Sequence, residues 1–129
     1  MKVNPFQHHE QALRLRELRT EVLGSNIANA DTPGYKARDI DFAREMQTAS
    51  GEAAAMRKTR ANHQAAAPLA RLGVRHMYRV PMQPTLDGNT VEADVEQAAF
   101  AENVVRYRAS LSFLDSQIKG LRYAIKGGD

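Results

Sequence analysis

The fold of this chain is decided around one stretch, Asn26-Ile27-Ala28-Asn29-Ala30-Asp31-Thr32-Pro33-Gly34-Tyr35. Asn is a mediocre helix former because its amide competes for backbone groups, so two of them one turn apart indicate a helix end tied by side chains. Pro33 disfavours helix at Thr32, and Pro33-Gly34 suits the centre of a type II turn. The stretch therefore predicts a long helix that ends in a turn. On the residues alone, an ordinary helix exit with no further role is the simpler interpretation.

The first long helix is predicted upstream of this turn, from Asn4-Pro5 to about Asp31. Asn is a good N-cap, and Pro is favoured at the first helical position. Apolar residues fall on two neighbouring lines at helical spacing, which makes a broad stripe able to contact more than one neighbour. The lines are Leu15, Leu18 and Val22, and Phe6, Leu13 and Ile27.

A second long helix is predicted at the other end of the chain, from about Val91 to Lys126. Acidic residues in its first turns, basic residues in its last turns and Gly127 after them are the expected start and stop signals. Its apolar residues alternate at spacings of four and three, which is an a/d heptad seam that requires a partner helix. The seam consists of Phe100, Val104, Tyr107, Leu111, Leu114, Ile118, Leu121 and Ile125.

The middle of the chain has a different composition. Residues 45–80 are Ala-rich and basic; they carry a net charge of +4, against +1 for residues 1–44 and −2 for residues 81–129. Few large apolar residues are present there to bury, so we expect a flexible segment, with a short strand at 74–80 where apolar and polar residues alternate. The predicted fold class is mainly α: long N- and C-terminal helices packed as a coiled-coil-like pair, with an irregular or partly extended, flexible middle. We expect one structural domain overall, in three parts: 1–44, 45–80 and 81–129.

Composition and spacing argue against several functional classes. The chain has no cysteine, which excludes disulfides and zinc-thiolate sites. No apolar run is long enough to span a membrane, and the N-terminus lacks the apolar region of a secretory signal. The run His8-His9-Glu10 places adjacent residues on different sides of a helix, which makes a poor metal chelate. The two carboxylates of Asp39-Ile40-Asp41 could suggest acid-base catalysis, but the alternation is more simply a short extended segment with Ile40 packed inward. We expect no catalytic residue, no metal and no cofactor.

Nucleic-acid binding is the alternative that the charge leaves open. The sequence pI is about 9.4, and the run Arg57-Lys58-Thr59-Arg60 could contact phosphate. On the first helix, however, Arg and Glu are interspersed, which is typical of intrahelical pairs on a solvated face. Aromatic residues are too scattered for a stacking platform. A small basic helical nucleic-acid-binding protein is therefore the second hypothesis.

A resemblance favours another function. The motif at residues 23–35, Leu-Gly-Ser-Asn-Ile-Ala-Asn-Ala-Asp-Thr-Pro-Gly-Tyr, closely resembles the N-terminal motif of the flagellar rod and hook axial protein family. Its continuation at 36–42 and the stretch 79–91 resemble the small proximal-rod subunits of that family, and the likeness covers residues 8–44 and 79–126. It implies a structural subunit of the bacterial flagellar basal-body proximal rod that self-assembles helically through its terminal helices, transmits torque and helps line the export channel.

The resemblance also implies partners, a location and site residues. Expected partners are other rod subunits, the membrane-ring/rod adaptor proteins and the flagellar export apparatus, with no nucleic acid and no small-molecule substrate. The expected location is the periplasm-spanning rod of the basal body, reached by type III export without a cleaved signal peptide. The implied assembly residues are the C-terminal seam and, in the motif, Leu23, Asn26, Ile27, Asn29, Thr32, Pro33, Gly34 and Tyr35.

Overall fold

The computed structural model describes residues 6–49 and 73–127. Its long helices are joined by a turn, a two-stranded antiparallel sheet and a short helix. In chain order the elements are α1 (Gln7–Ala28), β1 (Arg38–Ile40), α2 (Phe42–Ala49), β2 (His76–Tyr78) and α3 (Ala93–Lys126).

The two long helices pack against each other and run antiparallel. Near the end of α1, Asn26 contacts Glu96 in the first turn of α3. Farther back along α1, the carbonyl of Arg16 and the hydroxyl of Thr20 accept hydrogen bonds from Asn103, one heptad later on α3. Because the α1 partner moves toward the N-terminus as α3 advances, these contacts fix both the direction and the register of the pair.

The helix α3 is longer than the part of α1 that covers it. Extending this register at a rise of about 1.5 Å per residue places Gln7 level with about residue 114. The last three turns of α3 therefore project about 18 Å past the described start of α1. Four seam residues, Phe100, Val104, Tyr107 and Leu114, are partly buried, whereas Leu111 is 42% exposed within the overlap and Ile118, Leu121 and Ile125 beyond it are 40%, 42% and 84% exposed.

The small sheet packs against α1. Strand β1 pairs with β2 in the register Arg38 to Tyr78 and Ile40 to His76. Ile40 is buried against Leu18 and Val22 of α1, as the alternation around Ile40 predicts. These apolar contacts hold the sheet, and with it the segment leading into α3, against the first helix.

Helix α2 follows β1 directly. Asp41 caps it: its side chain accepts a hydrogen bond from the Arg44 amide, which satisfies one of the free N–H groups of the first turn. Met46 is buried, and the buried Glu45 carboxylate accepts a hydrogen bond from the Arg75 amide just before β2. The short helix is therefore part of the packed structure and not only a connection.

The predicted fold class is confirmed, with differences in detail. Helix α1 ends at Ala28, three residues earlier than predicted, because the next backbone amides, those of Ala30 and Thr32, bond to carbonyls three residues back instead of four. Helix α3 begins at Ala93 and not at Val91, and ends as predicted at Lys126 before Gly127 in the left-handed conformation. The boundary drawn at residue 44 falls inside α2, and the strand expected at 74–80 spans 76–78. The predicted Asn4-Pro5 helix start and residues 50–72 of the middle lie outside the described residues.

Candidate assembly site

The turn after α1 is built from side chains of the motif itself. Asn29 donates from Nδ2 to the Ser25 carbonyl at 2.8 Å and accepts on Oδ1 from the Thr32 hydroxyl at 3.1 Å. The Ser25 and Tyr35 hydroxyls lie 3.0 Å apart and share a hydrogen bond. Gly34 takes φ of 72°, which is unfavourable for residues with a Cβ. These side-chain hydrogen bonds therefore reinforce the end of the helix and fix the path of the turn.

Asn89, which lies 60 residues after Asn29 in the sequence, holds this turn in place. Its side chain is buried, and Nδ2 lies within 3.0 Å of three carbonyl oxygens, those of Asn29, Ala30 and Thr32. Its Oδ1 accepts from the Val91 amide at 2.7 Å, just before α3 begins. One amide group thus connects the end of α1 to the entry of α3.

Backbone hydrogen bonds join the same two loops. The Gly34 amide donates to the Asp87 carbonyl, and the Thr90 amide donates to the Tyr35 carbonyl, each at 2.9 Å. The Lys36 ammonium donates to the Gly88 carbonyl at 2.5 Å. The hydrogen bond from the Asn89 amide is the main cause that lowers the pKa of the Asp87 carboxyl. The turn and the loop before α3 therefore form one unit.

Two residues of the motif lie inside the protein. Leu23 and Asn26 are fully buried. Asn26 donates to the Arg38 carbonyl at 2.6 Å and to Glu96 Oε2 at 2.9 Å, and its Oδ1 accepts from the Arg38 amide. The side-chain amide of Asn26 therefore hydrogen-bonds to the backbone of β1 in the way that a neighbouring strand does. It also connects β1 to α3 through Glu96.

An ion-pair network extends from this point across four segments of the chain. Arg19 forms a two-pronged pair with Asp39, at 2.8 and 2.9 Å, and Arg79 reaches the same carboxylate at 2.6 Å. Arg79 Nε also lies 3.1 Å from Oε1 of Glu96, which is fully buried. Burial opposes ionisation of Asp39, but the hydrogen bonds from Arg19 and the Ile40 amide and the charges of Arg19 and Arg79 prevail and lower its pKa. The network joins α1, β1, the end of β2 and α3.

The structure brings the motif residues together but divides their roles. Leu23 and Asn26 are interior, and Ile27, Asn29 and Tyr35 are partly buried, whereas Thr32, Pro33 and Gly34 are exposed at the tip of the turn. The C-terminal seam does not join them at one place. It starts near the motif at Phe100 and runs away from it along α3, because the helix pair is antiparallel.

The sequence analysis did not identify the contacts that several residues make in the junction. Glu96 and Asn103 are buried against α1 and lie seven residues apart, next to the apolar seam, where charged and polar residues normally flank a coiled coil in solvent. Their shared heptad position was the sequence feature that could have indicated a common buried environment. Asn89, Arg79 and the network role of Asp39 depend on contacts between distant segments, which periodicity does not reveal.

The residues that the structure describes provide little basis for a metal-binding, membrane-spanning or catalytic role. Within 6–49 and 73–127, no group of three His, Asp or Glu side chains is placed to hold a metal ion. Of the helices in those segments, none has the length and apolar character needed to cross a membrane. The two aspartates around Ile40 have separate structural tasks, since Asp39 is ion-paired and Asp41 caps α2.

Comparison with known proteins identifies the family. The model of a family described as "Flagella basal body rod protein" matches residues 6–36, which is α1 and the turn. A flagellar basal body rod protein FlgB of Cereibacter sphaeroides is 56% identical, with 92% of this chain and 91% of the relative covered. The chain belongs to the FlgB family of flagellar basal body rod proteins. FlgB of Escherichia coli is 45% identical, with 96% of this chain and 94% of the relative covered, and FlgB of Salmonella typhimurium is 44% identical with the same coverage.

Membership of the FlgB family confirms the resemblance seen in the sequence. The chain is a structural protein of the flagellar basal-body rod, and the matched residues 6–36 contribute α1 and the turn to its buried junction. A structural role of this kind agrees with the expectation that the chain is not an enzyme. The names of the FlgB relatives give the nucleic-acid-binding alternative no support.

Proposed function

We propose that this chain is a subunit of the proximal rod and assembles helically through its two terminal helices. The observation that carries the proposal is the exposed seam of α3. A row of large apolar side chains continues past the described start of α1, and Ile125 in this row is 84% exposed. Burying each such side chain contributes about 1.5–3 kcal/mol, so neighbouring subunits that cover the row stabilise the assembly.

The same assembly would transmit torque and help line the export channel. Torque requires subunits that do not deform, and the turn-to-loop junction provides stiffness because Asn89 and the Asp39 network tie the helix ends together. Contacts of one surface with a different surface of the next copy repeat along the assembly, and they produce a rod when the rotation between copies does not close a ring. The proposed partners are other rod subunits, the membrane-ring/rod adaptor proteins and the flagellar export apparatus.

The assembly residues carry over from the motif as part of this proposal. Thr32, Pro33 and Gly34 would meet a neighbouring subunit at the exposed tip, while Leu23 and Asn26 would set the shape of the tip from inside. We keep the three-part organisation into 1–44, 45–80 and 81–129 within one domain, with the middle as a spacer. The proposed location is the periplasm-spanning rod, reached through type III export without a cleaved signal.

Purification of basal bodies tests the proposal. A tagged chain that complements a strain lacking its own copy should co-fractionate with basal bodies and remain after washing in high salt, since the contacts are largely apolar. A tagged chain that restores swimming but is missing from purified basal bodies would contradict a rod role. Tight binding to duplex DNA that weakens steeply with salt would instead support the nucleic-acid hypothesis.

A further inference from the structure

A groove lies between α1 and α3, lined by residues of these two helices. It has a volume of about 500 Å³. Its apolar floor comes from α3, and α1 contributes two carboxylates, Glu17 and Glu21, one turn apart on its rim. Within the described residues, neither carboxylate has an ion-pair partner. The α3 side chains of the floor are Val104, Tyr107 and Leu111.

The overhanging end of α3, residues 115–126, has the complementary character. Its seam residues Ile118, Leu121 and Ile125 are 40%, 42% and 84% exposed. Arg122 lies directly beside this seam in the heptad, and Lys126 lies one step farther round the helix. Three basic residues and one acidic residue give the overhang a charge of +2. The groove, with two carboxylates and the guanidinium of Arg108, carries −1.

We infer that the groove of one copy receives the overhanging end of α3 from a second copy of this chain. The inference rests on the proposed function and specifies one of its contacts. An apolar seam on the overhang would cover the apolar floor, while Arg122 and Lys126 approach Glu17 and Glu21. Charge pairs at the rim of an interface act mainly on specificity and orientation. Groove and overhang are different surfaces, so the contact can repeat from copy to copy, and it builds an open helical assembly when the rotation between copies does not close a ring.

The dimensions agree with this occupant. The overhang is about 18 Å long, and the floor from Val104 to Leu111 spans about 10 Å of α3 at 1.5 Å per residue. The overhang is therefore long enough to extend along the whole apolar floor, where its seam side chains would enter the groove. The groove and the overhang are complementary in apolar character and in charge, and both belong to the same chain, as a contact between identical copies requires.

Cysteine cross-linking in assembled rods tests the inference directly. The chain has no cysteine, so an introduced pair reports one contact. Glu21→Cys combined with Arg122→Cys or with Lys126→Cys, in the full chain in purified oxidised basal bodies, should give products at multiples of the 14.3 kDa chain for at least one pair. The matched control, Glu21→Cys with Ser116→Cys on the opposite face of α3, should give none.

Two results of this experiment would overturn the inference. The first is the absence of any cross-linked multimer although the variants are present in basal bodies. The second is a cross-link only to a protein of another mass, which would assign the groove to a different rod component. In either case the variants still co-fractionate with basal bodies, so the proposed function would stand.

Charge reversal supplies an independent test. Glu17→Lys with Glu21→Lys should lower the amount of chain in basal bodies about tenfold, and Arg122→Glu with Lys126→Glu should do the same, because like charges then face each other. Combining all four changes should restore assembly. Asp94→Lys with Glu102→Lys changes the net charge equally outside the groove and should have little effect. Normal assembly of both reversed pairs would overturn the contact.

Discussion

The side-chain amide of Asn26 donates a 2.9 Å hydrogen bond to the carboxylate of Glu96 inside the protein, across 70 positions of sequence. The same amide group pairs with the backbone of Arg38 on both its donor and acceptor sides. Both Asn26 and Glu96 are fully buried. A single residue of the motif thus fixes how α1, β1 and α3 meet.

Replacing Asn26 should therefore destabilise the chain strongly. In Asn26→Ala the Arg38 backbone and the Glu96 carboxylate lose partners in a buried place, and we expect a loss of about 2–4 kcal/mol in the free energy of unfolding. Urea denaturation followed by circular dichroism measures it. The neighbouring Ser25→Ala, whose hydroxyl is exposed, should cost no more than about 1 kcal/mol. Equal losses in the two variants would mean that Asn26 does not organise the junction.

Stability should fall in acid through Asp39. The pKa of Asp39 is lowered in the folded protein, so the unfolded chain takes up a proton at higher pH than the folded one. Its contribution is complete above the unfolded pKa of about 3.9 and is lost as the pH falls through the lower folded value. Asp39→Asn should lower the unfolding free energy by about 1–3 kcal/mol at pH 7 and by clearly less near pH 2. A difference between Asp39→Asn and the unmodified chain that does not change with pH would contradict this assignment.

The contacts of Asn89 predict an ordering of two substitutions. Asn89→Ala removes the donor to three carbonyls and should cost about 1–3 kcal/mol. Asn89→Asp keeps the shape but points a carboxylate at the same carbonyl oxygens, so it should be the worse of the two at pH 7. Thermal melts of both variants give the order. If Asn89→Asp is as stable as the unmodified chain, the three-carbonyl contact does not hold the turn.

Two glycines of the motif region should respond to alanine with opposite signs. Gly34 has φ of 72°, and a Cβ there would meet no atom within 4 Å, so the effect of Gly34→Ala is purely conformational. We expect it to destabilise by about 1–2 kcal/mol. Gly24 lies inside α1 with equally open space, so Gly24→Ala should stabilise by about 0.5–1 kcal/mol. The same sign in both melts would exclude a required left-handed conformation at Gly34.

A charge in the exposed seam should separate assembly from folding. Ile118 lies past the described start of α1 and is 40% exposed, so Ile118→Asp should leave the unfolding free energy nearly unchanged. It should abolish swimming, because a charge would be buried without a partner in the assembled rod. Ser116→Asp, on the opposite face of α3, is the matched control. Normal swimming zones with Ile118→Asp in soft agar would show that the seam is not an assembly surface.

The helices were predictable because their signals are local. The heptad spacing and Gly127 located α3 to within two residues, and the spacing of Leu15, Leu18 and Val22 identified the buried side of α1. Helix α2 was not separated from the flexible middle. Eight residues carry too little periodicity, and its stability comes from Met46 burial and from the bond between Glu45 and Arg75.

The sequence by itself determined the two long helices, the turn between them and the family to which the chain belongs. Those properties follow from periodicity and from a contiguous motif. Only the tertiary structure decided that Asn26, Glu96 and Asn103 are interior, and that the seam of α3 extends past the described start of α1. A buried polar group is stable only when a distant segment supplies its partner, and the extent of the exposed seam depends on the register between α1 and α3.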